Sequence, residues 1–414
     1  MSSITPAAGR RLGLLDLSVD LIVDIMEKFP DPRDVCELAL SCKALFTILK
    51  KYENVICQKI FINSHDPSLF RLARANYAAA LLPTCRRSIP SPLNMWKFCD
   101  KYLDRKKNPL EMNRNEFTLK RAIYMEDFHD TVRTYAKRFA DDFLKTWHVL
   151  PQTMPNTQGY QVPATEAECV RIMKALYLAE LVSKIAPAVP WRRALRGASS
   201  YSDRPFEIFW LYFTPWDSQG VCFVQEWINE LMEKNGRNLL DNDERLEYHL
   251  EFPRTNMFLF QGLERVLAGD WKTVEDEQQW ECIRSESYGN PRFWFQDSWV
   301  DEEDDQPPIW TNTMAGTDAL KRYEVHDDDK GEASAWYWWR SVHDPNFRSN
   351  VHIEEECMFL DEIVDENGAR GLTHCTFWDR ERLETALGMR IPPLKAMTRF
   401  GENANVLLEL YDES

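Results

Sequence analysis

Apolar residues recur at every fourth position near the start of the chain. Leu17, Leu21, Ile25 and Phe29 fall on one helix face. Ser18 stands where it can cap that helix, and Phe29-Pro30-Asp31 breaks it. A second helix then starts cleanly: Asp31 can cap, Pro32 fits the first helical position, and Asp34 suits the positive end of the dipole. In this helix Val35, Leu38 and Ala39 mark one apolar stripe, while Cys36 and Leu40 mark another. A third helix follows around Lys43–Tyr52, with Leu45, Ile48, Leu49 and Tyr52 on one face and Phe46 pointing elsewhere. Three short helices within about 45 residues are marginal as an independent core, yet they carry spare apolar faces. Such a module is expected to complete its core against something else.

Residues 63–270 read as mostly helical. Arg114–Trp147 lacks Pro and Gly and carries Phe117, Ile123, Phe128, Val132, Tyr135, Phe139, Phe143 and Trp147 at helical spacing. Pro163-Ala164-Thr165 leads into a helix with Val170, Met173, Leu176, Tyr177, Leu181 and Val182 on one face. Another is expected over Val221–Lys234, stopped by Asn235-Gly236, and a further one over Thr255–Ala268. The last third changes character. Short aromatic or β-branched runs at Trp294–Trp299, Ala335–Trp339, Cys357–Val364 and Leu372–Phe377 predict strands, separated by polar breaks such as DEEDDQPP. Glu366-Asn367-Gly368 fits a hairpin turn, Asp379 caps a short helix, and Asn405–Leu410 fits a closing strand. The fold expected is mainly α, α+β overall. Residues 1–12 form a disordered leader, 13–62 the three-helix module, 63–270 a large helical region, and 271–414 a smaller mixed α/β part. No period of roughly 20–50 residues supports a propeller or leucine-rich repeats.

Composition narrows the class. At 414 residues and 44% hydrophobic, the chain has the core capacity of two or three globular domains. No signal-peptide h-region is visible, and nothing approaches the ~20 apolar residues of a membrane span. Ten cysteines form no CxxC pair or disulfide framework, which suggests reduced thiols in the cytosol or nucleus. The net charge of −16 is unevenly spread: residues 1–60 are balanced, 61–150 carry +6, 151–270 carry −4, and 271–414 carry −18. An acidic last third repels phosphates and argues against nucleic acid as a partner there.

Candidate chemistry is sparse. The eight histidines show no HxxxH or HExxH pairing, and no GxSxG, GxxxxGK[ST] or GxGxxG motif occurs. No metal site and no cofactor are expected. The carboxylates Asp301–Asp305 and Glu354–Glu356 fit solvated loops, because such runs repel one another unless a cation relieves them. Cys357 and Cys375 fit small buried hydrophobes. Twelve of the fifteen tryptophans lie between Trp191 and Trp339, and Trp336, Trp338 and Trp339 in the run WYWW form the aromatic patch best placed to bind a partner.

The dense stretch LSVDLIVDIMEKFPDPRDVCELALSCKALF, residues 17–46, resembles an F-box, the adaptor-binding motif of Skp–cullin–F-box ubiquitin ligases. Leu17, Leu21, Ile25 and Phe29 match the family's first helix. Asp34-Val35 and Leu38 match its middle, and Leu40-Ser41-Cys42-Lys43 with Phe46 match its end. Ser18 stands at the proline of the family's Leu-Pro start, where its hydroxyl can cap the helix instead. The rest of the chain is similar, more loosely, to large fungal F-box proteins through TPWDSQG (214–220) and TFWDRERL (376–383). The resemblance implies that Leu17, Leu21, Ile25, Val35, Leu38, Leu40 and Cys42 share a core with a Skp-type adaptor, which tethers the chain to a cullin scaffold. Residues 63–414 would then hold a protein substrate near the charged ubiquitin-conjugating enzyme, acting by proximity without catalytic residues. Two other readings stay open: an adaptor complex that is non-degradative, and an enzyme whose C-terminal carboxylates hold a divalent cation.

Overall fold

A computed structural model of the chain describes residues 13–81, 92–104, 117–146, 162–185, 209, 212–240, 263 and 376–387. Among the described residues the structure is helical, with no strand. After a short 3-10 turn at Leu14–Asp16 come α1 (Val19–Met26), α2 (Pro32–Leu40), α3 (Lys43–Ser64), α4 (Pro67–Ala80) and α5 (Pro92–Tyr102). Next are α6 (Leu119–Thr146), α7 (Glu166–Ile185), α8 (Pro215–Leu240) and α9 (Arg380–Leu387). The chain divides into two compact units. The first comprises residues 1–77 and 105–130, the second 78–104 and 131–414.

In the first unit each helix start has a chemical cause. The Ser18 hydroxyl accepts from the Leu21 N–H at 3.4 Å, opening α1. Asp31 Oδ1 accepts from the Arg33 N–H at 2.7 Å, and Pro32 takes the first turn of α2. Asp66 accepts from the Ser68 N–H at 2.8 Å and precedes Pro67 at the start of α4. The end of α3 is tied back to the α1–α2 turn. Asn63 Nδ2 donates to the Glu27 carbonyl at 3.1 Å, and the Ser64 hydroxyl donates to that of Pro30 at 2.9 Å. The core behind these ties is Ile22, Val23 and Met26 of α1, Val35 and Ala39 of α2, and Leu45, Leu49, Ile56 and Ile60 of α3.

Of the four residues spaced along and beside α1, Leu17 and Phe29 pack partly against this core. Leu21 and Ile25 are exposed, and Ile22, Val23 and Met26 point inward. The third helix also continues well past Tyr52, to Ser64, because Ile56, Cys57, Ile60 and Phe61 extend its buried stripe.

In the second unit α7 is the central helix. Thr165 and Glu168 cap it reciprocally: the Glu168 N–H donates to Thr165 Oγ1 at 3.2 Å, and the Thr165 N–H to Glu168 Oε2 at 2.8 Å. From Arg171 to Val182 every residue except Lys174 is buried, so α7 is enclosed on all sides rather than along the one face its apolar spacing marks. It packs against α8, whose start is likewise capped by a Thr-Asp pair, Thr214 and Asp217. α8 runs through Asn235-Gly236 to Leu240, beyond the stop expected there. A glycine inside a helix costs about 1 kcal/mol relative to alanine, which the remainder of a 26-residue helix can offset. Thr376-Phe377, expected to end a strand, form a 3-10 turn that leads to Asp379 and α9. The remaining strands, the hairpin turn, the closing strand, the helix over Thr255–Ala268 and the leader lie outside the described residues, Leu263 aside.

Candidate functional site

Two arrangements stand out, one in each unit. The first is an apolar surface on α1–α3. With their inward residues committed to the core, these helices still expose Val19, Leu21 (50%) and Ile25 (38%) on α1, Leu40 (71%) on α2, and Phe46 (48%) on α3, with Leu15 just before α1. Leu21 and Ile25 are one turn apart on the same side of α1. Leu40 and Phe46 flank the tight α2–α3 turn, where the Ser41 hydroxyl donates to the Leu38 carbonyl at 2.6 Å. Leaving large aliphatic and aromatic side chains in water forgoes roughly 1.5–3 kcal/mol each relative to burial. These exposed side chains lie on three consecutive helices and are what a docking partner could bury.

The residues singled out from sequence divide accordingly. Leu21, Ile25 and Leu40 are exposed, and Leu17, Leu38 and Cys42 are partly buried against the module's own core. Val35 is a correction: it is fully enclosed by α1 and α3 and offers no surface to a partner. The two stripes of the second helix are thereby resolved, with Val35 and Ala39 inward and Leu40 outward. Phe46 and Val19 belong to the exposed set too, beyond the adaptor contacts that the resemblance implies. Trp336, Trp338 and Trp339 lie outside the described residues, as do Asp301–Asp305, Glu354–Glu356, Cys357 and Cys375.

The first unit also contains a buried polar cluster that no sequence spacing announced. His65 stacks on Phe61 with ring centroids 4.1 Å apart, and its Nδ1 lies 2.9 Å from the Phe61 carbonyl, which can only accept. Its Nε2 meets Glu126 Oε2 at 3.2 Å, and the His129 ring sits edge-on at 3.9 Å. His65 and His129 are far apart in the chain, so HxxxH-type spacing could not have found them. Among the described residues no group of three or more His, Cys, Asp or Glu side chains is arranged to hold a metal ion.

The second unit holds the other arrangement, an array of charges on α7. Glu168, fully buried, receives Arg382 of α9 in a two-pronged pair, Nε to Oε1 at 2.7 Å and Nη2 to Oε2 at 2.9 Å. The same carboxylate accepts the Asp379 N–H at 2.8 Å. Arg382 also donates to the carbonyls of Val162 and Pro163, each at 2.8 Å. One turn along α7, Arg171 donates to the Phe377 carbonyl at 3.0 Å and pairs with Asp379 at 2.9 Å. A further turn on, Lys174 pairs with Asp217 of α8. The two Trp-Asp sequences, TPWD and TFWD, thus meet the same stripe of α7, and both tryptophans are buried. Each charged side chain of the array has an opposite charge within it, which makes it a clamp on the fold rather than a reactive site.

No disulfide links the described cysteines to one another, and burial pushes the Cys57 and Cys99 thiols up to about 12, with Glu53 and Asp100 respectively adding to the effect. Neither is a nucleophile at neutral pH. Burial, and then its hydrogen bond to Asp100, also raises the Tyr212 phenol.

The described residues thus form helices, with exposed apolar side chains on the N-terminal helix cluster. Among the described residues no helix is long and apolar enough to cross a membrane. Comparison with family models, with curated proteins and with solved structures finds no match.

Proposed function

We propose that the chain is an F-box-type substrate-recognition subunit. In this reading α1–α3 dock a Skp-type adaptor, the adaptor joins a cullin scaffold, and residues beyond the module present a protein substrate for ubiquitination in the cytosol or nucleus. The chain makes and breaks no bonds itself. The acidic, aromatic-rich 271–414 region is taken as a mixed α/β part of the substrate-holding portion.

The observation that supports this reading is the exposure of Leu21, Ile25, Leu40 and Phe46 on helices whose inward faces are already filled. These residues fall in the stretch whose order and spacing resemble the F-box. The Ser18 cap shows that the family's missing proline does not prevent the first helix from forming.

The test is capture of a purified Skp-type adaptor by the full chain. The Leu21→Asp/Leu40→Asp double variant replaces two exposed side chains, so its Tm should match that of the wild type. Its affinity should fall at least about 100-fold, given the 2 kcal/mol or more typical of each anchor residue. Wild-type protein that fails to capture the adaptor, or a double variant that captures it equally well, would refute the proposal.

A further inference from the structure

We infer that the first part of α6, together with Phe117 just before it, acts as a built-in brace that holds the apolar surface of α1–α3 in its docking shape before a partner arrives. The identity of the partner rests on the adaptor reading above; the brace itself does not.

A cluster of short helices spanning about 45 residues is marginal alone. Here the chain leaves the first unit after Tyr77 and re-enters it at Arg105, and the returning segment meets α3 at Glu53 and again just past its end, at His65. Near the middle of α3, Glu53 Oε1 accepts the Leu119 N–H at 2.7 Å, capping the start of α6, while the Leu119 side chain packs on the α1–α3 core. At the far end, His65, one residue beyond α3, meets Glu126 at 3.2 Å and the edge of His129, all three buried. Withdrawing α6 would leave the buried His65 ring without its carboxylate neighbour, so the brace does not leave cheaply. Aromatic contacts extend the seam: Phe117 stacks on Phe70 at 5.6 Å, and Tyr124 meets Tyr77 at 5.3 Å. Arg33 then links the cap of α2, Asp31, to Asp127 of α6.

The consequence for binding is quantitative. A surface that forms only on docking has its affinity reduced by the fraction of chains already folded, and a braced surface escapes that reduction. The brace residues act through α1–α3, so they are positioning residues.

The experiment is amide hydrogen exchange on the full-length chain without adaptor. Wild-type amides in α1–α3 should exchange far more slowly than those of an unfolded chain. Leu119→Asp should accelerate them at least about 100-fold while leaving α7 unchanged, and saturating adaptor should restore the slow exchange. If Leu119→Asp also exposes α7, the comparison passes to the milder Glu53→Gln, expected to accelerate α1–α3 by about threefold or more. Wild-type α1–α3 exchanging at unfolded rates, or the deciding variant leaving them as protected as wild type, overturns the brace. Wild-type protection with no response to adaptor in the variant leaves the brace standing and sinks the adaptor reading instead.

Discussion

Arg382 carries a larger share of its unit's stability than a surface arginine could. Its guanidinium is buried, forks onto the buried Glu168 and satisfies two carbonyls, so its removal leaves a buried carboxylate short of its strongest partner. Arg382→Ala is expected to cost about 3–5 kcal/mol in chemical denaturation. Arg380→Ala, which breaks a partly exposed pair with Glu384 four residues on, should cost at most about 0.5 kcal/mol. Gly220 is a second sensitive position, for reasons of space. A Cβ there would lie 3.1 Å from the Phe377 ring and 3.5 Å from the Ala175 Cβ, so Gly220→Val is expected to destabilise by roughly 1–3 kcal/mol. A Gly220→Val variant as stable as wild type would show that the ring moves freely, contrary to its burial. Cys57 gives a pH signature. Its folded thiol titrates near 12 against about 9 unfolded, so the folded state holds the extra proton between those values. Its stabilising contribution is complete below about pH 9 and is lost as pH rises toward 12, by up to about 1.4 kcal/mol per pH unit. Comparing wild type with Cys57→Ala from pH 8 to 10.5 should show the steeper loss in wild type. Near neutral pH, alkylation should modify Cys36 and Cys42 before Cys57 and Cys99. None of these roles is legible in sequence, because each depends on what a distant segment places beside the residue.

At the scale of the element, structure is most legible in the sequence where chemistry is local. Caps at Ser18 and Asp31, proline at the head of α2, and the Pro-free run that becomes α6 are short-range signals, and all appear where expected. The apolar periodicity of α1 leaves its orientation open. Spacing reports which residues share a face, not which face turns inward, and α1 has apolar residues on both. The choice is made by α3, whose Leu45, Leu49, Ile56 and Ile60 meet Ile22, Val23 and Met26. This gives a paired prediction for α1. Met26→Ala, in the core, should lower stability by about 2–5 kcal/mol, whereas Ile25→Ala, next to it but 38% exposed, should change stability by less than about 1 kcal/mol. Thermal denaturation of the two variants decides it; equal losses would mean that the outward residue is also held within the chain. α7 shows the converse limit. The lead-in at Pro163-Ala164-Thr165 marks its start, yet its enclosure on every side is hidden, because Glu168, Arg171 and Glu180 are polar residues on different sides whose partners lie far along the chain.

For the whole molecule, the informative distances are those along the chain. The Leu119 N–H reaches Glu53 across 66 positions, and Arg382 reaches Glu168 across 214. Separations of that size leave no periodic trace, which is why a module read as ending near Ile62 belongs to a compact unit reaching Tyr77 and taking in 105–130. The second unit is likewise completed late, by residues 376–387. Phe377 fills the space between Phe139, Phe223 and Gly220, Trp378 is fully buried, and Asp379 with Arg382 neutralises Arg171 and Glu168. Until that segment arrives, α7 presents a buried acid and a buried base to an unfilled apolar groove, and burying unpaired charge costs several kcal/mol each. Total stabilities are only about 5–15 kcal/mol, so the loss is comparable with the whole margin. A chain ending at Cys375 is therefore expected to lose slow exchange across α7 and to be cleaved rapidly by dilute protease between residues 162 and 240. The same chain extended through Leu387 should regain both protections, because it restores every group that α7 contacts in this segment. Unchanged α7 protection in the shorter chain would mean that the Trp-Asp segment is an ornament on a core complete without it, and the burial of Glu168 would then need another counter-charge.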